Sequence, residues 1–189
     1  MQTVGIMTTE ERVECAKAYF RQGFNCSQSV VLAFKDVCGL DEKSLGRIAA
    51  GLGGGVGRMR EVCGCVCGMA MLSGFITEHK RVDDKELPPA PYEQKKAAYA
   101  LTQKMASDFK KETGSIVCRE LLGLSRDQDS PLPSADSGSG ASSEAPLSPV
   151  PEHRTADYYK KRPCEQMVAL AARIVSEKLL NSHFEKNPE

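Results

Sequence analysis

The chain has no tryptophan, and aromatic residues make up only 6% of its 189 residues. It also has no excess charge of either sign, because 25 basic residues balance 25 acidic residues. Proteins that bind DNA or RNA usually carry a positive patch, and those that bind single strands stack the bases on aromatic side chains. The sequence therefore predicts that nucleic acid is not a partner of this protein.

Long hydrophobic runs are absent too. The most apolar stretch, residues 63–76, has 14 residues of which three are glycine, whereas a membrane-spanning helix needs roughly 20 apolar residues. The first eight residues lack the basic and apolar segments of a secretory signal peptide. We therefore expect a cytoplasmic protein with no membrane insertion, in a compartment that keeps thiols reduced.

Alternating runs of β-branched residues, which are typical of strands, are scarce, whereas helix signals recur along the chain. Thr8 with Glu11 and Asn25 with Gln28 have the spacing of capping boxes that open two helices. Further helices are expected over about 41–51, 63–78, 92–112, 116–122 and 163–181. The pattern predicts an all-α fold, a compact bundle of five to seven helices in one domain over residues 8–182.

One segment has a different composition. Residues 125–151 contain eight serines, five prolines and two glycines, with no aromatic residue and no cysteine. Such a segment cannot bury enough apolar surface to offset the entropy lost on ordering. We expect a long disordered Ser/Pro-rich loop, inserted in the domain at residues 125–157.

Eight cysteines are the unusual feature of the composition. Four of them lie within about one turn of a predicted helix start, namely Cys26, Cys63, Cys118 and Cys164. A helix N-terminus stabilises the thiolate, which is both the nucleophile and the metal-ligating form of cysteine. These four are therefore candidate catalytic residues and candidate metal ligands, which would form a Cys₄ site or two dithiol pairs if they converge.

An alternative for every cysteine is an inert place in the core, because free cysteine is among the most buried residue types. We expect that role for Cys15 and Cys38. The segment containing Cys63, Cys65 and Cys67 needs separate treatment, and Cys65 and Cys67 are candidate cofactor-binding residues. In a helix that starts at Cys63, Cys63 and Cys67 share a face and Cys65 points away, whereas in an extended segment all three share one face.

Neither common metal nor haem spacing fits that segment. No histidine pair follows it at the spacing of a zinc finger, and there is no C-x-x-C-H motif for covalent haem. The glycines just before it, at positions 51, 53, 54, 55 and 57, do not follow a predicted strand and are not followed by Gly-Lys-Ser/Thr. We expect them to allow close helix packing and to let the backbone approach the thiols.

Several segments together resemble one family. Residues 25–30 (NCSQSV), 53–58 (GGGVGR) and 63–68 (CGCVCG) are similar to the C-GCAxxG-C-C family, whose members are described as redox-active and carry four marker cysteines. Residues 116–123 (IVCRELLG) and 162–164 (RPC) resemble its third and fourth cysteine segments. The resemblance implies a redox function, and it assigns the four cysteines to Cys26, Cys63, Cys118 and Cys164.

The core motif departs from the family pattern, because Cys65 stands at the alanine position and Cys67 at a variable one. These two thiols leave room for a different cluster or a different resolving partner. Part of the split-Soret cytochromes, which carry an iron–sulfur cluster, is also similar to this family. That similarity implies an iron–sulfur cluster as an expected cofactor, although the haem-attachment motif of those proteins is missing here.

Three functions therefore stay open. In the first, Cys26, Cys63, Cys118 and Cys164 hold an iron–sulfur cluster that transfers electrons to or from a redox partner protein, which the sequence does not identify. In the second, the thiols cycle between dithiol and disulfide without a metal, and Cys63 attacks. In the third, the protein is a non-catalytic zinc-binding or interaction module. A homodimer is compatible with each of them.

Overall fold

The protein is described by a computed structural model that covers residues 7–77, 92–124 and 148–184. Helices form most of these ranges, and the only pairing between extended segments in them is a single antiparallel bridge between Val62 and Val117. The predicted all-α fold is therefore confirmed. The helices are α1 (Thr9–Arg21), α2 (Cys26–Leu32), α3 (Lys35–Cys38), α4 (Glu42–Ala50), α5 (Gly64–Thr77), α6 (Tyr92–Thr113), α7 (Cys118–Leu121), α8 (Ala156–Lys161) and α9 (Cys164–Phe184).

Side-chain caps begin the first two helices where the sequence predicts them. The Thr8 hydroxyl accepts a hydrogen bond from the Glu11 N–H, and the Glu11 carboxylate accepts one from the Thr8 N–H. Asn25 and Gln28 form the same reciprocal pair at the start of α2. Both boxes satisfy main-chain donors that a helix start leaves unpaired.

The helix count in the described ranges is nine, which exceeds the predicted five to seven because of short helices. The predicted helix that opens at Asn25 is two helices, α2 and α3. The buried Arg12 guanidinium donates to the Ala33 carbonyl at 2.9 Å and lies over the Phe34 ring at 4.5 Å. A side chain therefore occupies the Ala33 carbonyl at the point where the helix breaks. Beyond the break, the Val37 N–H donates to the carbonyl of Phe34, three residues earlier in the chain.

Helix α9 organises the core, packing against α1, α2, α5 and α6. Its apolar stripe is buried, with Val168, Ala171 and Val175 fully shielded from solvent. Helix α6 contributes Met105 and Phe109, which are also fully buried. Within the described ranges, none of the helices has both the length and the apolar character needed to cross a membrane.

Of the predicted disordered insertion, residues 125–157, the first part, residues 125–147, lies outside the described residues. For residues 148–157 the structure differs from the expectation of disorder. Arg154 donates to the carbonyl oxygens of Phe20 and Phe24, and its guanidinium lies 4.2 Å from the centre of the Phe20 ring. Thr155 then caps α8. Two carbonyl hydrogen bonds and a cation–π contact hold this segment on the bundle despite its polar composition.

The connection between α4 and α5 has an unusual backbone. Five consecutive residues from Gly54 to Arg58 have φ between 59° and 75°. Left-handed backbone costs a non-glycine residue about 1–2 kcal/mol, and Val56, which is β-branched, lies within this run. At Gly55 the constraint is also steric, because a Cβ there would lie 2.6 Å from the Cβ of Cys118.

Gly55→Ala is expected to lower the free energy of unfolding by about 3 kcal/mol, because it adds a clash with Cys118 to the cost of positive φ. Gly57→Ala is the matched control. Gly57 also has positive φ, but a Cβ there meets nothing closer than 3.8 Å, so a loss of about 1 kcal/mol is expected. Urea unfolding under reducing conditions measures both, and equal losses would contradict the close approach of the turn to Cys118.

Candidate functional site

A cavity of about 410 Å³ lies where the starts of α2, α5, α7 and α9 meet the glycine-rich turn. All four predicted cysteines line it, and a fifth thiol joins them. The cysteines that line the cavity are Cys26, Cys63, Cys65, Cys118 and Cys164. The structure therefore brings together the residues that helix position and the family resemblance single out, although they are spread over 139 positions of the chain.

Each cysteine is placed by a helix start. Cys26, Cys118 and Cys164 are the first residues of α2, α7 and α9, and Cys63 directly precedes α5. The Asn25 cap also donates from Nδ2 to the carbonyl of Ala50 at 2.8 Å, which ties the start of α2 to the end of α4.

A short main-chain ladder brings Cys63 and Cys118 together. Cys63 N–H donates to the carbonyl of Ile116 at 2.8 Å, and Cys118 N–H donates to that of Glu61 at 2.6 Å. Arg119 N–H adds a third bond, to the carbonyl of Arg60 at 3.0 Å. The segment before α5 and the segment before α7 thus form one extended pair that no strand-like sequence pattern announces.

The ladder also decides which thiol of the C-x-C-x-C segment faces the cavity. The helix begins at Gly64, and Cys63 lies in the extended segment, so the arrangement expected for a helix starting at Cys63 is wrong. Cys65 is fully buried and lines the cavity, whereas Cys67 is partly exposed and its Sγ approaches the carbonyl of Val62 at 3.8 Å. Cys67 does not line the cavity.

The cavity thiols set one another's pKa values. The largest influences on the pKa of Cys26 are the thiols of Cys164 and Cys65, and the largest influence on that of Cys63 is the thiol of Cys65. A thiol has one proton, so Cys65 can donate to only one of its two neighbours at a time. The sequence of contacts is Cys164, Cys26, Cys65, Cys63, with one donor thiol at the outer end and another between the two acceptors.

This arrangement divides the thiols into acceptors and donors. Hydrogen bonds from Cys164 and Cys65 hold the pKa of Cys26 well below its ordinary value, although burial opposes the shift, and the charge of Arg154 acts in the same direction. The Cys65 thiol likewise lowers the pKa of Cys63. Hydrogen bonding to the charged form of an acid favours that form, so Cys26 is the site's best-stabilised thiolate.

The donors titrate in the opposite direction. The pKa of Cys164 is raised, first by its hydrogen bond to Cys26 and then by burial, and the pKa of Cys65 is raised by its bonds to Cys26 and Cys63. Burial raises the pKa of Cys118 to about 11, against the nearby Arg60 guanidinium. A helix-start position therefore does not by itself lower the pKa of these thiols.

The two cysteines expected in the core have no part in the cavity. Burial raises the pKa of Cys38 to about 11, and it also raises the pKa of Cys15. Cys38 is buried in the hydrophobic core, and Cys15 packs against it partly buried. Both thiols stay protonated at neutral pH, in keeping with an inert role.

Sequence reasoning missed the contribution of the segment that follows residue 147. Glu152, Arg154 and Tyr158 line the cavity, but two of them lie within the range assigned to the disordered loop. The adjacent Tyr158 and Tyr159, in a chain poor in aromatic residues, are the signal that could have shown where packing resumes. Phe20 and Tyr159 do pack edge to face, with ring centres 5.9 Å apart.

The donor chemistry of the site would suit a soft metal. Thiolates select zinc and iron–sulfur clusters, and the cavity carries the four predicted ligands, Cys26, Cys63, Cys118 and Cys164. In the part of the chain that the structure describes, however, no group of three or more His, Cys, Asp or Glu side chains is placed so that it could hold a metal ion. The residue types fit such a group, and the cavity brings four of them together.

Cys164→Ala is expected to raise the pKa of Cys26 toward the ordinary value of about 8.5, because it removes the main donor to the thiolate. The measurement is the alkylation rate of Cys26 against pH, followed by peptide mass spectrometry on reduced, metal-free protein. In the unmodified chain the rate should reach its half-maximum well below that pH. Cys38→Ala is the control and should leave the profile unchanged, and an unchanged profile in Cys164→Ala would contradict the hydrogen-bond assignment.

Comparison with known proteins identifies one family. The model of one protein family, described as "Putative redox-active protein (C_GCAxxG_C_C)", matches residues 24–178, which is most of the chain and includes all the cavity cysteines. A search of the curated proteins and a search of the solved structures each found no match. The chain belongs to the C_GCAxxG_C_C family.

Proposed function

We propose that the protein is a thiol–disulfide redox protein in which Cys26 attacks a disulfide substrate and Cys164 resolves the product. The observation that carries the proposal is that Cys26 and Cys164, the first residues of α2 and α9, line the same cavity, where the Cys164 thiol is the largest influence lowering the pKa of Cys26. Thiol–disulfide exchange needs a thiolate in contact with a second thiol, and it depends on the thiolate fraction and on access. The pair supplies both groups.

The reaction balances as follows. The Cys26 thiolate attacks one sulfur of R–S–S–R and the S–S bond breaks. The first R–S⁻ departs, and Cys26 is left in a mixed disulfide with the other R–S group. Cys164 gives its proton to that thiolate and attacks Cys26 Sγ, which expels the second R–S⁻. Solvent protonates it, so two electrons and two protons have reduced the substrate to two thiols, and Cys26 and Cys164 are joined. A dithiol reductant then reduces the disulfide between Cys26 and Cys164 and regenerates the two thiols.

Cys26 is a better attacking group than Cys63, the residue that the sequence analysis favours. Cys63 is 4% exposed, whereas Cys26 is partly exposed at the cavity wall. Cys26 also accepts hydrogen bonds from two thiols and feels the charge of Arg154, while Cys63 has Cys65 as its thiol donor. Cys65 lies between the two acceptors, so it can pass its hydrogen bond to Cys63 when Cys26 becomes part of a disulfide.

The proposed chemistry sets the conditions under which the protein acts. We place it in the cytoplasm, because a reducing compartment regenerates the dithiol. The electron donor is a redox partner protein or a small dithiol.

Cys164→Ser tests the assignment by removing the resolving thiol. With hydroxyethyl disulfide as substrate, this variant should accumulate a mixed disulfide on Cys26, which intact-protein and peptide mass spectrometry detect. Cys26→Ser should lower turnover with a dithiol donor by at least about a hundredfold. Cys38→Ser, which removes a buried thiol outside the cavity, should turn over like the unmodified chain.

Two results would overturn the proposal. One is normal turnover by Cys164→Ser with no adduct, which would leave no role for a resolving thiol there. The other is an adduct on Cys63 in place of Cys26, which would restore the attacking role that the sequence analysis gives to Cys63.

A second proposal is an iron–sulfur cluster that transfers electrons. The convergence of Cys26, Cys63, Cys118 and Cys164 on one cavity favours it, since these are the ligands that would hold the cluster. Such a group would supply one-electron redox chemistry. Cys65 would be a further thiolate beside it, whereas Cys67 lies outside the cavity lining.

The cluster proposal predicts that protein purified without oxygen is brown and holds iron and acid-labile sulfide in stoichiometric amounts. Cys63→Ala should lose both, and Cys38→Ala should keep them. The visible spectrum and an assay of iron, zinc and sulfide on one sample measure this. Colourless protein without metal would eliminate the cluster, and zinc without sulfide would point to the zinc-binding module among the sequence hypotheses.

A further inference from the structure

The cavity that holds the thiols is also rich in positive charge. Among the residues that the structure describes, four arginines line it, Arg58, Arg60, Arg154 and Arg162, and one carboxylate, Glu152. For a chain with a formal net charge of zero, this is a local concentration of positive charge. A cleft lined by one sign of charge raises the local concentration of ligands of the opposite sign.

Two of these arginines are not neutralised by an acidic side chain within the described residues. Arg154 places its guanidinium nitrogens on the carbonyls of Phe20 and Phe24, which are neutral acceptors. Arg58 donates from Nε to the carbonyl of Ser148 at 3.1 Å, which is also neutral. Both side chains keep their charge at the cavity while their hydrogen bonds fix their positions.

The other two both contact the carboxylate of Glu152. Glu152 Oε1 lies 3.6 Å from a guanidinium nitrogen of Arg60, and the same oxygen is hydrogen-bonded to Arg162. Arg60 is 6% exposed at its side chain, whereas Glu152 is 43% exposed. A partly exposed glutamate therefore occupies the position of an anion between two cavity arginines.

The size of the cavity limits what can enter. Its volume of about 410 Å³ is within the roughly 300–1,000 Å³ typical of small-molecule sites. Cys26 lies at the wall and is partly exposed, so a small disulfide can reach it. A folded protein cannot bring a buried disulfide into such a space without inserting a loop.

We infer that the substrate is a low-molecular-weight disulfide that carries carboxylates, and that its carboxylate takes the place of Glu152 between Arg60 and Arg162. This inference rests on the proposed thiol–disulfide function and adds the substrate class. The electron balance is unchanged, since the carboxylates take no part in the exchange. Their role is to bind the disulfide with a sulfur facing Cys26.

Three disulfides of similar length and different charge test the inference: dithiodipropionate (anionic), hydroxyethyl disulfide (neutral) and cystamine (cationic). For each disulfide, the rate at which it oxidises Cys26 is divided by the rate at which the same disulfide reacts with free 2-mercaptoethanol. This ratio removes differences in the intrinsic reactivity of the disulfides. The normalised rate should be highest for the anionic and lowest for the cationic disulfide, with a difference of at least about tenfold.

Variants locate the effect. Arg162→Gln should lower the ratio of the anionic to the neutral rate, and Glu152→Gln, which removes the competing carboxylate, should raise it. Arg47→Gln is the matched control, because it makes the same charge change on an exposed helix residue that does not line the cavity. It should leave all three rates unchanged.

The outcomes separate the two proposals. Equal normalised rates for the three disulfides, with a disulfide still formed between Cys26 and Cys164, would overturn the anionic substrate and leave the thiol–disulfide function in place. A ratio that responds equally to Arg162→Gln and Arg47→Gln would overturn the cavity site. Failure of Cys26 to react with any of the three would overturn both proposals.

Discussion

The proposed chemistry depends on the stabilisation of a thiolate at the cavity wall, that of the half-buried Cys26, by neighbouring thiols. Removing a charged sulfur from water is costly, and an unpaired buried charge would instead take up a proton. At Cys26 the hydrogen bonds from Cys164 and Cys65 outweigh that cost. The donors are themselves oxidisable, so the groups that stabilise the thiolate are also those that can form a disulfide with it. In the proposed thiol–disulfide function, one group of thiols thus provides both the nucleophile and its resolving partner.

The rest of the fold serves to bring these sulfurs together. The capping box at Asn25 fixes Cys26, and the ladder between residues 60–63 and 116–119 fixes Cys63 against Cys118. That ladder needs the backbone of the left-handed turn to pass next to Cys118, where Gly55 leaves no room for a side chain. The left-handed turn itself lines one wall of the cavity. Arg154, from beyond the Ser/Pro segment, adds a charge that no carboxylate within the described residues neutralises.

Local signals in the sequence predict the helices and the four helix-start cysteines, because capping and apolar periodicity act over a few residues. They do not predict the ladder at Val62 and Val117, which is a pairing across more than 50 positions with no strand pattern. Helix α5 begins at Gly64 directly after this pairing, and Cys65 lines the cavity, so the roles of Cys65 and Cys67 could not be assigned from spacing alone. The composition of the Ser/Pro segment does not reveal the anchoring role of Arg154. A single residue with well-placed hydrogen-bond acceptors can anchor a segment that lacks apolar side chains.

The most direct test of the account is the disulfide map of the unmodified protein after oxidation by one equivalent of a small disulfide under anaerobic, metal-free conditions. Protease digestion and mass spectrometry without reduction identify the linked peptides. The proposed thiol–disulfide function predicts one dominant disulfide, between Cys26 and Cys164, with Cys15 and Cys38 still reduced. A dominant bond that excludes Cys26, or protein that stays fully reduced while small thiols react, would contradict it.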